Sequence, residues 1–220
     1  MTGADVIASD NRPRPPWHMY RAMVGTGIAC ALLIVAVYLS TGPAIERNRA
    51  AVLQRAVLQV LPGATRFETR DIGQPVYVGF TTENALAGMA LEASAMGYAD
   101  TVRILYGYDP ARQAVVGLRV LESKETPGLG DRIETDPVFT ANFKALDVRV
   151  NDAGTALANP IELVKPGEKN RPWQIDGISG ATISSAAIAA MLRDSAGRWV
   201  PELHRQRDTL SASQEPADAP

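Results

Sequence analysis

Asp176-Gly177-Ile178-Ser179-Gly180-Ala181-Thr182, followed by Ile183-Ser184-Ser185 and a run of small residues, reads as a tight turn that delivers a threonine hydroxyl to the start of a helix. Gly180 has no Cβ and can take a positive φ, so the chain can turn sharply there and another molecule can approach the backbone, as a modification site requires. From Ile183 onward, Ile183, Ala186, Ala187, Ala190 and Met191 recur at helical spacing and predict one buried helix face. Arg193 then falls in the last turn, and Gly197 can end the helix. Thr182 is the expected N-cap, beside unpaired backbone N–H groups and the positive end of the helix dipole, where a phosphate would be well placed. A plain cap and turn would satisfy the same local residues. A second Gly-Ala-Thr, at Gly63-Ala64-Thr65, follows Pro62 and lacks an aspartate six residues before the threonine. It reads as a helix stop, which makes Thr65 a decoy.

The 220 residues allow one domain of ordinary size plus appendages. A formal charge of −2 offers no basic footprint for nucleic acid. Cys30 is the single cysteine, which excludes an internal disulfide framework and a thiolate metal cluster. His18 and His204, near opposite ends of the chain, argue against a histidine metal site, so no metal ligand is expected.

The N-terminal residues to Trp17 are polar and proline-bearing and are expected to be poorly ordered. No charge occurs between Arg21 and Glu46, and Ala22 to Leu39 is almost wholly apolar, long enough to cross a hydrocarbon core of about 30 Å. A cleaved signal peptide would have a shorter apolar region, so an uncleaved anchor over residues 21–42 is the reading adopted. Arginines flank the span on both sides, which leaves the positive-inside rule near a tie. The short tail before the span and the long domain after it fit an N-terminus in the cytoplasm. After Pro43, the stripe Val52, Leu53, Ala56, Val57, Val60 and Leu61 predicts a helix running on from the span to Pro62-Gly63.

Pro75 to Phe80, Thr101 to Tyr106 and Ala114 to Leu121 read as strands, and Ala85 to Met96 is assigned to strand on its period-two alternation. Next comes Lys124-Glu125-Thr126-Pro127-Gly128-Leu129-Gly130-Asp131, whose two glycines and proline mark an ordered loop with close backbone approach. It has neither the Walker ending nor the glycine spacing of a nucleotide-binding loop. Asp136 and Pro137 supply the cap and first residue of a short helix anchored by Phe139, Phe143 and Leu146. Brief strands are expected at Val148 to Val150 and Ile161 to Lys165. The last residues, 205–220, read as a disordered tail.

The span, the Glu-Thr-Pro-Gly-Leu-Gly loop and the Asp-x-x-Ser-Gly-Ala-Thr motif, in that order, resemble the G subunit of the Rnf (Rsx) ion-translocating electron-transport complex. More distantly they are similar to the C subunit of the sodium-pumping NADH:quinone oxidoreductase. The resemblance covers roughly Met19 to Pro201. It implies an α+β protein with one N-terminal transmembrane helix followed by a mixed α/β FMN-binding domain. Residues 1–20 would be a cytoplasmic tail, and residues 43–204 a periplasmic domain anchored to the cell inner membrane. It also implies FMN joined through a phosphoester to Thr182 by a dedicated flavin transferase that uses FAD and Mg²⁺. Asp176, Ser179, Gly180 and Ala181 would complete the transferase motif. Glu125, Thr126, Gly128, Leu129 and Gly130 would line the flavin site, with Lys165 and Lys124 adding positive charge. Ser123 stands where many relatives have histidine.

The implied function is an electron relay within a membrane complex that couples ferredoxin and NAD oxidoreduction to ion movement, with the other subunits of that complex as partners. No residue need act as an acid or base, because the redox chemistry belongs to the flavin ring. Three rival readings stand beside it, one of them a regulator of flavin-like fold without cofactor, which would be colourless. Gly177-Ile178-Ser179-Gly180-Ala181 falls one glycine short of a hydrolase elbow, with His204 as the only downstream histidine. The last rival is a membrane-anchored scaffold without cofactor, which would also be colourless.

Overall fold

The computed structural model describes residues 17–211, so most of the expected N-terminal tail and residues 212–220 lie outside the described region. The chain divides into two compact units at Arg49/Ala50. The longest helix, α1 (Trp17–Val60), enters both. Within the first unit its apolar side chains, Leu32, Leu33 and Ile34 among them, are exposed, and the helix is long and apolar enough to cross a membrane. Pro43 lies inside α1 instead of ending it. It removes the backbone donor that would bond the Leu39 carbonyl, and just before it the hydroxyls of Ser40 and Thr41 donate back to the Val37 carbonyl at 3.0 and 2.8 Å.

The second unit is built on a six-stranded antiparallel meander: β1 (Arg66–Asp71), β2 (Pro75–Phe80), β3 (Leu86–Met96), β4 (Thr101–Asp109), β5 (Ala114–Glu122) and β6 (Leu146–Asp147), in spatial order of sequence. The three strands and the alternating segment predicted from sequence are all present. β1 is an addition, because its charged alternation carries little apolar signal. A separate parallel pair joins β7 (Glu162–Val164) to β8 (Gln174–Asp176). The brief strand expected at Val148 to Val150 is instead β6, a few residues earlier, with Val150 only bridging Leu157. Two short helices, α2 (Arg132–Thr135) and α3 (Pro137–Ala141), follow β5, and Asp136 caps α3 by accepting from the N–H of Val138 and Phe139.

Period-two alternation sends the strand side chains to two different layers. Val76, Val78 and Phe80 of β2, Met89 and Leu91 of β3, and Ile104, Tyr106 and Tyr108 of β4 join a core shared with the C-terminal helix α4 (Thr182–Ser211). Tyr77, Ala90 and Leu105 face the other way, onto Ala56, Val57, Val60 and Leu61. The end of α1 rests there on nearly bare backbone. Gly79 pairs with Gly88 and Gly107 with Gly117 across adjacent strands. A Cβ on Gly117 would stand 2.6 Å from the Val60 carbonyl oxygen, and one on Gly107 would overlap the same atom outright. Each buried Val or Leu of this layer contributes about 1.5–3 kcal/mol, and only glycines let the helix come close enough to collect it.

Four expectations about α4 are corrected. Of the predicted face, Met191 is buried but Ile183, Ala186, Ala187 and Ala190 are largely turned outward, and the buried stripe runs through Ser184, Ser185, Ile188, Leu192, Ala196, Val200 and Leu203. Two serines can lead the buried side because both hydroxyls have partners there, which a hydropathy pattern cannot show. Gly197 does not end the helix, and residues 205–211, expected in the tail, are helical because Leu203 and Leu210 extend the buried stripe. Pro201 is tolerated inside α4: the one bond it cannot donate is to the carbonyl of Gly197, four residues back. Finally, Thr182 is the first helical residue and not the cap. Ser185 N–H donates to the Ala181 carbonyl at 2.9 Å, which makes Ala181 the boundary residue.

Candidate functional site

Three turns meet at the start of α4. The β3–β4 turn closes through Gly97 N–H to the Asp100 carbonyl at 2.9 Å. The loop after β5 folds back at Gly128, with φ +78°, so that the N–H groups of Leu129 and Gly130 both reach the Thr126 carbonyl. The turn before α4 uses Gly180, with φ +84°, and is closed by Ala181 N–H to the Ile178 carbonyl at 3.1 Å. Ser185 Oγ accepts from Ile178 N–H at 3.2 Å and locks that turn to the first turn of the helix.

Glu125 ties the three together. It is 6% exposed and lies between Gly97 and Gly130, neither of which could carry a Cβ without striking its carboxylate. Oε1 accepts from Ala99 N–H at 3.0 Å, and Oε2 accepts a short hydrogen bond from Ser184 Oγ. Burial pushes its pKa up, but hydrogen bonds from Ser184 and from the backbone of Ala99, Tyr98 and Asp100 outweigh that and hold it below the usual carboxylate range. It is therefore an anion at neutral pH, and both its oxygens are occupied.

These turns enclose an open cavity of about 360 Å³. Its wall includes Glu125, Thr126, Leu129 and Gly130 from the β5 loop and Gly180, Ala181 and Thr182 from the motif, so the two stretches singled out in the sequence converge. Tyr98, Ile183 and Ser184 complete the wall and were not anticipated. An exposed aromatic at a hairpin tip is the one available signal for Tyr98, while helical periodicity assigns Ile183 to the core. Leu129 and Ile183 are each more than half exposed, an apolar rim without a protein partner.

Other expected residues stand behind the cavity. Gly128 shapes the loop without lining it. Ser179 offers its carbonyl to Arg132 Nη1 at 2.8 Å, and Arg132 Nη2 pairs with Asp136 at the same distance. Asp176 points away, accepting from Gly167 N–H at 3.0 Å and Lys169 N–H at 3.3 Å, while buried Asn142 grips both its carbonyl and its N–H. Lys165 is exposed beyond β7 and does not line the cavity. Lys124 is paired with Asp100 at 2.8 Å. Thr65 bonds the Phe80 carbonyl through its N–H, at the start of β1 and away from the site.

Thr182 is exposed, and its hydroxyl has no partner among the described residues. The N–H groups of Thr182, Ile183 and Ser184 precede the first intrahelical bond, so three donors converge beside that hydroxyl. A phosphate attached to Thr182 Oγ1 would find these N–H groups and the helix dipole, worth about 0.3–1 kcal/mol when exposed. The cavity is within the size range of small-molecule sites, about 300–1,000 Å³, and its apolar rim suits a flat aromatic ring. The residues present thus fit an FMN. A hydrolase does not fit, because Ser179 of the elbow lies just before α4 and about 33 Å of that helix runs from its first residue to His204.

Residues 97–196, which contain all three turns, match the FMN-binding domain family. The chain is 30% identical over 201 residues to the G subunit of the ion-translocating oxidoreductase complex of Methanosarcina acetivorans, covering 87% of this chain and 93% of that one. It is 28% identical over 196 residues to the protein of the same name from Pasteurella multocida, covering 81% and 91%. Among solved structures, NqrC of Shewanella oneidensis superimposes with a TM-score of 0.49 at 21% identity, covering 69% of this chain and 73% of that one. The chain belongs to the family of G subunits of ion-translocating oxidoreductase complexes.

Proposed function

We propose that this protein carries FMN as a phosphoester on Thr182 and relays electrons within an ion-translocating oxidoreductase complex. The observation that carries the reading is the unpartnered Thr182 hydroxyl at the first residue of α4, on the wall of a cavity that the Glu125–Gly130 loop completes. Attachment joins Thr182 Oγ1 to the FMN phosphorus of FAD, with loss of the threonine proton and departure of AMP, under a dedicated flavin transferase. Asp176, Ser179, Gly180 and Ala181 present the hydroxyl for that step by holding the turn open.

When bound, the flavin supplies one- and two-electron transfer, and the chain holds and orients it. The three N–H groups at the start of α4 would hold the phosphate, and Leu129 and Ile183 would offer the ring an apolar surface. Glu125 acts as a brace: with its oxygens already engaged, it fixes the relative position of the loops on which the ring would lie. Ferredoxin and NAD are the outer redox couples of the proposed complex, and its other subunits are the partners. The first unit anchors the chain in the inner membrane with a cytoplasmic N-terminus, which puts the flavin domain on the periplasmic side.

The test is in-gel flavin fluorescence with peptide mass mapping, on protein from a host that makes the linkage. Thr182→Val is expected to abolish fluorescence and the FMN mass increment with the fold retained, while Thr65→Val leaves both unchanged. Full fluorescence in Thr182→Val would overturn the attachment site, and a colourless native protein would favour a scaffold role.

A further inference from the structure

The two edges of the main sheet differ in how they are protected. β1, at one edge, alternates charges along Arg66, Glu68 and Arg70, and both arginines pair with Glu68 at 2.8 Å. Such a charged fringe discourages another strand from adding. The other edge is β5, because the two-residue β6 covers only Ala114 and Val115. From Val116 to Leu121 the strand reads Val-Gly-Leu-Arg-Val-Leu, with one charge. No backbone group of these residues bonds anything except β4 among the described residues. The pairing with β4 is irregular at Val116 and Leu121, but the edge between them is open and apolar, of the kind that proteins ordinarily keep covered.

A groove of about 700 Å³ runs along this edge and touches every residue from Val116 to Val120. Three cations stand over it: Arg55 and Arg119, which donate to the Ala51 carbonyl and to Gln59, and Lys144 from the turn after α3. None of the three is in an ion pair among the described residues. The one acid on the wall is Glu134, whose carboxyl burial and Asp131 hold above the ordinary range against the pull of Arg119. The groove is therefore a positively charged channel over a row of unpaired strand donors and acceptors.

We propose that the β5 edge, Val116–Leu121, takes an extended acidic segment from a neighbouring protein of the complex as an added antiparallel or parallel strand. Main-chain bonds to the edge would supply affinity, and carboxylates at alternate positions would meet Arg55 and Arg119 on one face. Lys144 would select against a basic segment. This docking rests on the reading of the chain as one member of a complex, and it lies on a different part of the unit from the flavin cavity.

Hydrogen exchange tests it on the full chain, alone in detergent and within the complex purified from membranes. The amides of 116–121 that point away from β4 are expected to slow by about tenfold or more in the complex. The Arg119→Glu/Lys144→Glu double variant is expected to keep its flavin fluorescence while its share of the purified complex falls about tenfold. Co-purification with equally fast exchange at 116–121 would overturn this inference alone. So would protection of the outward-pointing amides already present in the isolated chain, whether it rises with protein concentration, as a second copy would cause, or appears only in lipid nanodiscs. Absence of co-purification by the parent chain would remove the complex reading, and this inference with it.

Discussion

Replacing Glu125 separates a structural brace from an ordinary loop residue. In Glu125→Ala, Ser184 at 2% exposure and the Ala99 N–H both lose their acceptor. Leaving buried Ser184 unsatisfied costs up to about 3 kcal/mol, and the bond to the N–H of exposed Ala99, which water can replace in part, adds about 1 kcal/mol, so the two together should cost about 4 kcal/mol. In Glu125→Gln, the amide oxygen can keep Ala99 and the amide nitrogen can donate to the Ser184 hydroxyl. The loss is then the charge assistance of two bonds, about 2 kcal/mol. At about 2–4 °C per kcal/mol for a domain of this size, Glu125→Gln should lower the melting temperature by about 4–8 °C and Glu125→Ala by about twice that. Because the folded pKa lies below the ordinary value of 4.5, this stabilisation is complete above that pH and fades as pH falls through the folded pKa. The gap between parent and Glu125→Gln should therefore be widest at neutral pH and shrink in acid. Thermal unfolding of the detergent-solubilised chain, followed by circular dichroism at neutral and acid pH, measures both effects. A Glu125→Ala melting point within about 2 °C of the parent, or a gap that widens in acid, would refute the brace.

Gly107→Ala should destabilise by about 3 kcal/mol, since its Cβ would overlap the Val60 carbonyl and backbone cannot swing aside as a side chain can. Gly197→Ala, with nothing within 4 Å, should stabilise by about 0.5–1 kcal/mol. Urea unfolding of both variants checks the pair, and a neutral Gly107→Ala would contradict the close seat. Asn142→Ala removes bonds to the N–H and carbonyl of Asp176 and to Lys169 Nζ, and should cost about 3 kcal/mol. Hydrogen exchange at Gly167 and Lys169 should quicken in that variant, and unchanged exchange would show that Asn142 does not organise the loop.

The strands β2 and β5 were legible because they are short apolar runs rich in Val, Leu and Tyr, and the membrane segment because it lacks charge. The two motif loops were legible from their glycines, and the structure brings them to one cavity. What the sequence hid was how polar groups are satisfied. Ser184 and Ser185 look like surface residues and are buried, because Glu125 and Ile178 N–H are waiting for them across 59 and 7 residues of chain. That pairing turns Ile183 outward to the cavity and shifts the whole helix face. In the same way Lys165 looks available to a phosphate by charge alone, but its position beyond β7 is set by the parallel β7–β8 pair, whose strands are too short to announce themselves. Gly197 and Pro201 look like stop signals, and continued burial along α4 overrides both.

The seat of Val60 on Gly107 and Gly117 has a mechanical consequence. Most helix–sheet contacts are cushioned by side chains that can change rotamer when the two elements shift. At Val60, though side chains such as Tyr77 and Leu105 pack around it, main chain bears directly on main chain, so that point of the joint has no side chain to take up a displacement. A push or twist arriving at Val60 must move the strands with it, which makes this end of α1 and the sheet a single lever and not two parts joined by a spring.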